Sequence, residues 1–261
     1  MSAARRLPAA DLVLHMFPAS HFNEKARWGL DWKGLPHARV AYLPGPHGPQ
    51  LRRLSGQAQT PVLVMRGRVI PGSARILDEL ERAFPQRPLY PEDPAARERA
   101  LALQTRFDTE VGPATRTAIF SVLIHEPGHL CAIFARRQPV LKRALYRAAL
   151  PLARPMIAKG NGVTPEGVAR ALARTQQALD ETARAIGPSG QLVGDAFSVA
   201  DLAAAALLAP LLPLAHPDMA PPQPIPDRIA AFYASYATHP AIQWVREQYA
   251  KHRPPPCDVP S

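Results

Sequence analysis

Ser20 and His21 are the first residues of this sequence with a recognisable chemical use. They follow the apolar run 11–17 and begin a segment with helical spacing that ends at Gly34. A serine directly before a helix usually caps it, because its oxygen accepts a backbone N–H. The same position offers free N–H groups and positive potential, which stabilise an anion such as a thiolate. Ser20 is therefore either a cap or a hydroxyl that donates to a bound anion, with His21 as the alternative polar group.

Two further stretches combine polar groups with special backbone positions. Thr60-Pro61-Val62-Leu63 places a proline at the start of a strand, where its missing N–H is tolerated and its peptide bond can be cis. Gly72-Ser73 begins another helical segment. Ser73 is accordingly either a second cap or part of a site where a hydroxyl and N–H groups bind a carboxylate.

The stretch His125-Glu126-Pro127-Gly128-His129 has the H-E-x-x-H spacing of zinc proteases. That spacing binds zinc only when both histidines project from one face of a continuous helix. Proline in a helix interior costs about 3 kcal/mol and glycine about 1 kcal/mol. We therefore expect a break between two helices here, with Pro127 near the start of the second, and no metal site.

The composition indicates a folded chain. Its 261 residues are 47% apolar and 20% charged, enough for one large domain or two ordinary ones. No apolar run approaches the roughly 20 residues of a membrane-spanning helix, and the first 17 residues lack a signal-peptide pattern. The two cysteines, Cys131 and Cys257, are too few for a disulfide framework. We expect a soluble cytoplasmic protein.

The net charge of +10 is consistent with acidic partners or with an arginine-rich but ordinary surface. No zinc finger and no aromatic RNA-binding run is present, so we expect no nucleic-acid partner. The segment 134–159 is basic and contains no acidic residue. It is either a solvated face, an entrance that favours anionic molecules, or a surface for peripheral contact with an acidic membrane.

Hydrophobic periodicity predicts strands at 11–17 and 38–43, a hairpin that turns at Arg66-Gly67, and helices at 22–34 and 72–84. Residues 44–59 read as a loop with at most one helical turn. After the proline-rich stretch 85–95 only helices are predicted, at about 95–121, 129–157 with breaks at Pro139, Pro151 and Pro155, 165–186, 198–215, and 225–252 with a break near Pro240. This order predicts a compact α/β module followed by an all-helical domain.

These motifs together resemble those of the glutathione S-transferase superfamily, over nearly the whole chain. The segment PASHFNEKARWGL is similar to the start of the first helix in serine- and cysteine-type members, which implies that Ser20 is the catalytic residue. The segment SGQAQTPVL is similar to the family's NPxGKVPVL. It implies that Pro61 is cis, that the Val62 backbone pairs with the cysteinyl part of glutathione, and that Gln59 reaches its glycyl end.

Two more segments extend the resemblance. PGSARILDEL is similar to the family's third helix, which implies that Ser73 binds the γ-glutamyl carboxylate. GDAFSVAD matches a motif of the helical domain, in which Ser198 and Asp201 form the capping box of a buried helix.

The resemblance implies a thioredoxin-like glutathione-binding domain at 1–85, a linker at 86–95 and a helical-bundle domain at 96–261. An acceptor pocket is expected between the two domains, lined by Phe17, Phe107, Val111, Thr115 and Tyr146. The implied reaction is attack of the glutathione thiolate on a small apolar electrophile, with glutathione as co-substrate, by a homodimer that needs no metal.

Two departures from the family pattern leave alternatives open. Gly72 stands where an acidic residue usually holds the amino group of glutathione, and Ser20 stands where redox members carry a cysteine, so mixed-disulfide chemistry is disfavoured. The main alternative is a non-catalytic protein of this fold that binds an apolar anion, a membrane or a protein partner. A third reading is another enzyme on the fold, such as an isomerase or a dehalogenase.

Overall fold

A computed structural model of the chain describes residues 11–259. The first ten residues of the predicted first domain and the last two of the predicted helical domain lie outside the described residues. The N-terminal elements are β1 (Leu12–Met16), α1 (His21–Trp32), β2 (Ala38–Ala41), α2 (Gly48–Ser55), β3 (Val62–Met65), β4 (Arg68–Pro71) and α3 (Ser73–Ala83). The predicted strands, hairpin and two flanking helices are confirmed.

The four strands form one mixed sheet in the order β2-β1-β3-β4. Strand β1 pairs in parallel with β2 and antiparallel with β3, which pairs antiparallel with β4. Helices α1 and α3 pack together so closely that a Cβ at Gly29 would collide with Leu77. The amphipathic helix α3 buries Ile76, Leu77 and Leu80. This arrangement is the thioredoxin-like domain that the sequence predicted.

Helix α2 replaces the predicted loop. Its eight residues begin with Pro49 in the first turn, a position that proline favours because no helical N–H is lost there. The helix ends at Gly56, whose φ of 77° is in the left-handed region that glycine adopts easily. The stretch was misread because its apolar positions are few, and only Leu51 is buried.

The remainder is helical: α4 (Pro94–Arg106), α5 (Gly112–Leu123), α6 (Pro127–Phe134), α7 (Val140–Gly160), α8 (Pro165–Ala185), α9 (Val199–Leu208), α10 (Asp227–Ala234) and α11 (Pro240–His252). A π-helical turn at Phe107–Val111 joins α4 to α5. Helix α9 is buried along its whole length and begins with the predicted capping box of Ser198 and Asp201. Within 11–259, no helix is long and apolar enough to cross a membrane.

Helix α7 corrects the predicted breaks at Pro151 and Pro155, which both lie inside it. A proline in a helix removes one N–H and frees the carbonyl four residues earlier. These carbonyls belong to Arg147 and Pro151, which are exposed, so water can satisfy them. The helix therefore continues through both prolines.

A buried cluster of ion pairs joins α1 to the C-terminal segment. The guanidinium of Arg253 donates to Glu24 at 2.7 Å, to Asp31 at 2.8 Å and to Asp218 at 3.0 Å. All four side chains are 5% exposed or less. We call this set, together with Arg27 and Arg39, the ion cluster.

The other two arginines complete the ion cluster. Arg27 donates to Glu24 at 2.9 Å, and Arg39 donates to Asp218 at 2.6 Å. These contacts with arginines hold the pKa of Asp218 well below its usual range despite its burial. Three cations thus face three carboxylates, so the cluster buries no net charge.

The C-terminal segment continues from the ion cluster to the edge of the sheet. The Cys257 N–H donates to Asp31 at 2.7 Å, and the Val259 N–H donates to the His37 carbonyl at 3.0 Å. His37 and Asp258 also form a single β-bridge. Residues from the end of the chain therefore complete the surroundings of α1 and β2.

We expect Arg253→Met to lower the free energy of unfolding by about 3–5 kcal/mol, because it leaves three buried carboxylates facing only two cations. Lys251→Met is the matched control, since Lys251 lies only two residues earlier, in the last turn of α11, and its side chain is 62% exposed. Urea unfolding measures both. If Arg253→Met lowered the free energy of unfolding no more than Lys251→Met does, the ion cluster would not stabilise the fold in the way described.

Candidate active site

A cavity of about 490 Å³ lies between the thioredoxin-like domain and the helical domain. The thioredoxin-like domain contributes the β1–α1 turn, the β2–α2 loop and the residues before Pro61. The helical domain contributes residues of α5, α6, α7 and α10 and of the segment after α9. Its volume is within the range of sites for small organic ligands.

Ser20 lies on the cavity wall as the residue directly before α1. Its φ of −83° and ψ of 127° are those of an N-cap, yet its hydroxyl makes no capping hydrogen bond. The preceding Ala19 has a φ of 53°, an uncommon left-handed conformation for a non-glycine residue. This turn leaves the Ser20 hydroxyl available to a ligand beside the positive end of α1.

His21 also lines the cavity, but its side chain is engaged with the helical domain. Its Nε2 lies 2.9 Å from the Gly112 carbonyl oxygen. Burial lowers the pKa of His21 to about 3, and the charge of Arg116 acts in the same direction. The imidazole is therefore neutral, and because a carbonyl only accepts, Nε2 carries the proton and Nδ1 is left as an acceptor.

A second contact fixes α1 against the π-helical turn. The ammonium group of the fully buried Lys25 donates to both carboxylate oxygens of Asp108, at 2.6 and 2.7 Å. The ring of Phe22 packs on Gly112, where a Cβ would lie 2.6 Å from the ring. These contacts and the bond from His21 hold the start of α1, and thus Ser20, against α5.

The Thr60–Pro61 peptide bond is cis. Thr60 lines the cavity, and within 11–259 its backbone N–H and C=O make no hydrogen bond to another backbone group. Its hydroxyl accepts a bond from Asn23 of α1 at 3.0 Å. Val62 lies instead inside the sheet, paired with His15 and Pro71, and is fully buried. The open backbone beside the cavity is therefore that of Thr60.

The other two residues predicted to bind glutathione are placed differently. Gln59 is exposed at the cavity wall. Ser73 is buried in the first turn of α3 and does not line the cavity, and its hydroxyl makes no hydrogen bond within the described residues. Gly72 has a φ of 88°, and a Cβ there would meet nothing within 4 Å.

Two of the five predicted acceptor residues, Phe17 and Tyr146, line the cavity. The predicted positions Phe107, Val111 and Thr115 are instead buried in the core, where Thr115 donates to the Leu207 carbonyl at 2.8 Å. The cavity face of α5 consists of Arg116, Ile119, Phe120 and Leu123. The π-helical turn causes this difference, because its extra residue rotates the face that follows.

Arg116 is a candidate ligand-binding residue that sequence reasoning missed. Its guanidinium makes no hydrogen bond or ion pair with any of residues 11–259, although its Nε is buried and burial lowers its pKa. Arg136, the other arginine of the cavity, is bonded to the carbonyls of Pro217 and Asp218. No described lining residue is acidic, so the cavity fits an anion.

Tyr146 supplies a neutral polar group to the same cavity. Burial raises the pKa of its phenol well above the usual value, and its Oη has no hydrogen-bond partner within 11–259. An unpaired buried hydroxyl is costly unless a ligand or water pairs with it.

The H-E-x-x-H residues are separated as predicted. Helix α5 ends at Leu123 and α6 begins at Pro127, so the two histidines do not share a helix. His125 is hydrogen-bonded to Arg154 at 2.8 Å, while His129 is buried in α6. Among the described residues, no group of three or more His, Cys, Asp or Glu side chains is close enough to hold a metal ion.

The fold and the site define a thioredoxin-like domain joined to a helical domain, with a helix N-terminus and a cis-proline facing the cavity between them. Residues 14–88 match the family described as "Glutathione S-transferase, N-terminal domain". Residues 14–88 are therefore similar to the N-terminal domain of glutathione S-transferases, and the chain as a whole has the fold of solved glutathione S-transferase structures.

Individual relatives are distant. Glutathione S-transferase U4 of Arabidopsis thaliana is 29% identical over 124 residues, which are 47% of this chain and 54% of that protein. The match thus spans about half the length of this curated relative. The structure of the beta-etherase LigF from Sphingobium sp. strain SYK-6 is 20% identical with a TM-score of 0.61, covering 91% of this chain and 99% of that one.

A theta class glutathione S-transferase from Xanthomonas axonopodis pv. citri, solved with glutathione bound, is also 20% identical. Its TM-score is 0.56, and the match covers 91% of this chain and 96% of that one. At such identities these structures establish the fold.

We expect the buried neutral His21 to make the fold acid-sensitive. The pKa of His21 is about 3 in the folded state and about 6.5 in the unfolded state. Below about pH 6.5 only the unfolded state binds this proton, so the free energy of unfolding decreases as the pH is lowered. His21→Gln keeps a donor for Gly112 but cannot be protonated. Between about pH 7 and pH 5 the parent should lose about 2 kcal/mol more than the variant in urea unfolding. Equal losses would contradict the assignment.

We expect Arg116→Met to raise the free energy of unfolding by about 1 kcal/mol, because it removes a desolvated cation without a partner. Arg99→Met is the control, since Arg99 is exposed on α4 and should change stability little. Urea unfolding without ligand is the measurement. Destabilisation by Arg116→Met beyond that of Arg99→Met would show that the guanidinium stabilises the empty protein.

Proposed function

We propose that this protein is a glutathione transferase that joins the glutathione thiolate to a small apolar electrophile. The observation that carries the proposal is the position of Ser20: its hydroxyl is free of any capping bond and lies on the cavity wall at the positive end of α1, close in the fold to cis-Pro61. A free thiol has a pKa of about 8.5, so stabilising its anion raises the reactive fraction at neutral pH.

Ser20 rather than His21 is the proposed donor to the sulfur. The His21 Nε2 proton is committed to Gly112, and its neutral Nδ1 only accepts. In the proposed reaction, the Ser20 hydroxyl donates to the thiolate while the sulfur attacks an electrophilic carbon. The leaving group departs with its bonding electrons, and no redox change occurs. The protein contributes thiolate stabilisation and proximity.

The backbone of Thr60 is proposed to bind the cysteinyl part of glutathione, because it offers an unpaired N–H and C=O beside the cavity. This replaces the predicted pairing with Val62, whose neighbours in the sheet occupy both sides. Gln59 is proposed for the glycyl end, and Ser73 with the first turn of α3 for the γ-glutamyl carboxylate. Gly72 adds no side chain for the amino group, which predicts weak binding.

The helical side of the cavity is proposed to hold the electrophile. Phe17, Phe120 and Phe134 provide apolar surface, while Arg116 and Tyr146 provide a cation and a hydroxyl without partners among residues 11–259. This combination suits an aromatic electrophile that carries a strongly polar or anionic substituent.

A binding protein without turnover is the second candidate function, favoured by Gly72 and by the absence of acidic side chains among the described cavity residues. Such a protein would hold an apolar anion beside Arg116. The family likeness also supports a homodimer and a cytoplasmic location, which light scattering and cell fractionation test.

We expect Ser20→Ala to lower kcat/KM for glutathione and a chloronitrobenzene by about 100-fold, because it removes one donor to the developing thiolate. Calorimetry should show little change in glutathione affinity, while the ultraviolet absorbance of the bound thiolate should titrate at higher pH. Ser235→Ala, an exposed serine at the end of α10, is the control.

Three outcomes separate the candidates. No binding of millimolar glutathione by the parent would rule out the transferase. Binding without turnover would favour the binding protein. Unchanged turnover in Ser20→Ala would indicate that the N–H groups of α1, and not the Ser20 hydroxyl, stabilise the thiolate.

A further inference from the structure

Helix α7 presents an apolar stripe that no described residue covers. Leu141, Leu145, Leu152 and Met156 are 73, 64, 89 and 64% exposed. At about 100° per residue these four positions fall within roughly 60° of one another around the helix. Tyr146 and Leu150 are buried on a different face. A row of large exposed apolar side chains on one helix marks an interaction surface.

The apolar stripe lies in the most basic part of the chain. Five exposed cations belong to α7, and residues 127–165 contain no Asp or Glu. The five are Lys142, Arg143, Arg147, Arg154 and Lys159. None of them forms a salt bridge with another described residue, and Arg154 bonds only to His125. At about 100° per residue, Lys142 and Lys159 lie beside the stripe, whereas the three arginines lie on the opposite side of the helix. Long side chains of this kind can extend to a nearby interface while their stems lie along apolar surface.

We propose that α7 docks this protein on the surface of a membrane that contains acidic lipids. Lys142 and Lys159, which lie within about 70° of the centre of the stripe, would meet lipid phosphates. The stripe would enter the boundary between headgroups and acyl chains, as in helices that lie in the plane of the interface. A second copy of the chain fits the stripe poorly, because packing stripe on stripe would bring Lys142 and Lys159 of both copies together with no carboxylate from residues 127–165.

The docked helix would also turn the cavity towards the bilayer. Met156 belongs to the apolar stripe and lines the cavity, and the next residue, Ile157, lines it as well. A ligand dissolved in the membrane would therefore reach the cavity along an apolar path. This second step rests on the proposed function of the cavity, whereas docking itself does not.

Co-sedimentation of the full chain with vesicles tests the docking. We expect binding to phosphatidylcholine vesicles that contain phosphatidylserine, and little binding to phosphatidylcholine alone. Lys142→Gln with Lys159→Gln should lower the partition coefficient more than tenfold, since each cation contributes about a factor of five. Leu145→Ser with Leu152→Ser should lower it by a similar factor. Leu172→Ser, an exposed leucine on α8, is the control and should bind like the parent.

Circular dichroism and Tm check that each variant is folded, which is expected because all substituted side chains are exposed. Neither Leu145 nor Leu152 lines the cavity, so conjugation in solution should persist in that variant whether or not docking occurs. Absence of binding to acidic vesicles would overturn the proposal. So would light scattering that shows a dimer which the leucine variant converts to a monomer, because the stripe would then be a protein interface.

Discussion

The position of α1 depends on the ion cluster around Arg253. One guanidinium bonds carboxylates from two turns of α1 and from the segment after α9, at a place where all the side chains are buried. Buried ion pairs often add little stability relative to apolar packing, because desolvation offsets the attraction. Their effect here is geometric, since each carboxylate has one position that satisfies its partners.

The first turns of the same helix are also fixed by contacts outside the ion cluster. His21 bonds to Gly112, and Lys25 bonds to Asp108 in the π-helical turn. With both ends held by the helical domain, the N-terminus of α1 has one orientation relative to the cavity. A thiolate bound there would meet dipoles that are already aligned, which is how a protein stabilises charge without reorganising. The hydroxyl of Ser20 adds to this field because it caps nothing.

Local patterns were sufficient to predict much of the fold. Strand β1, helix α1 and the β3–β4 hairpin follow from alternating or helical spacing and from glycine at the ends, and the capping box of α9 follows from Ser198 and Asp201. Helix α2 was missed because it buries a single leucine, and the continuity of α7 was missed because solvent satisfies carbonyls that proline frees. Both errors concern surface helices, where burial leaves a weak signal.

The candidate site was less predictable. The cis bond at Pro61 followed from family resemblance, whereas the proposal of Thr60 in place of Val62 depends on which residues the sheet pairs. The π-helical turn changed the cavity face of α5 from Thr115 to Arg116. Nothing in the sequence distinguishes Arg116 from the other arginines. It is a candidate ligand-binding residue because its guanidinium has no hydrogen-bond partner among the described residues.

The C-terminal segment has a consequence for the order of folding during synthesis. Glu24 and Asp31 leave the ribosome more than two hundred residues before Arg253, the cation that bonds to both. Domains generally begin to fold from the N-terminus as the chain emerges. Here Arg27 and Arg39 already face Glu24 and Asp31 within the nascent thioredoxin-like domain, and Arg253 joins them only with the C-terminal segment. The contacts that tie α1 to the C-terminal segment therefore form last, after the sheet and its helices have been synthesised.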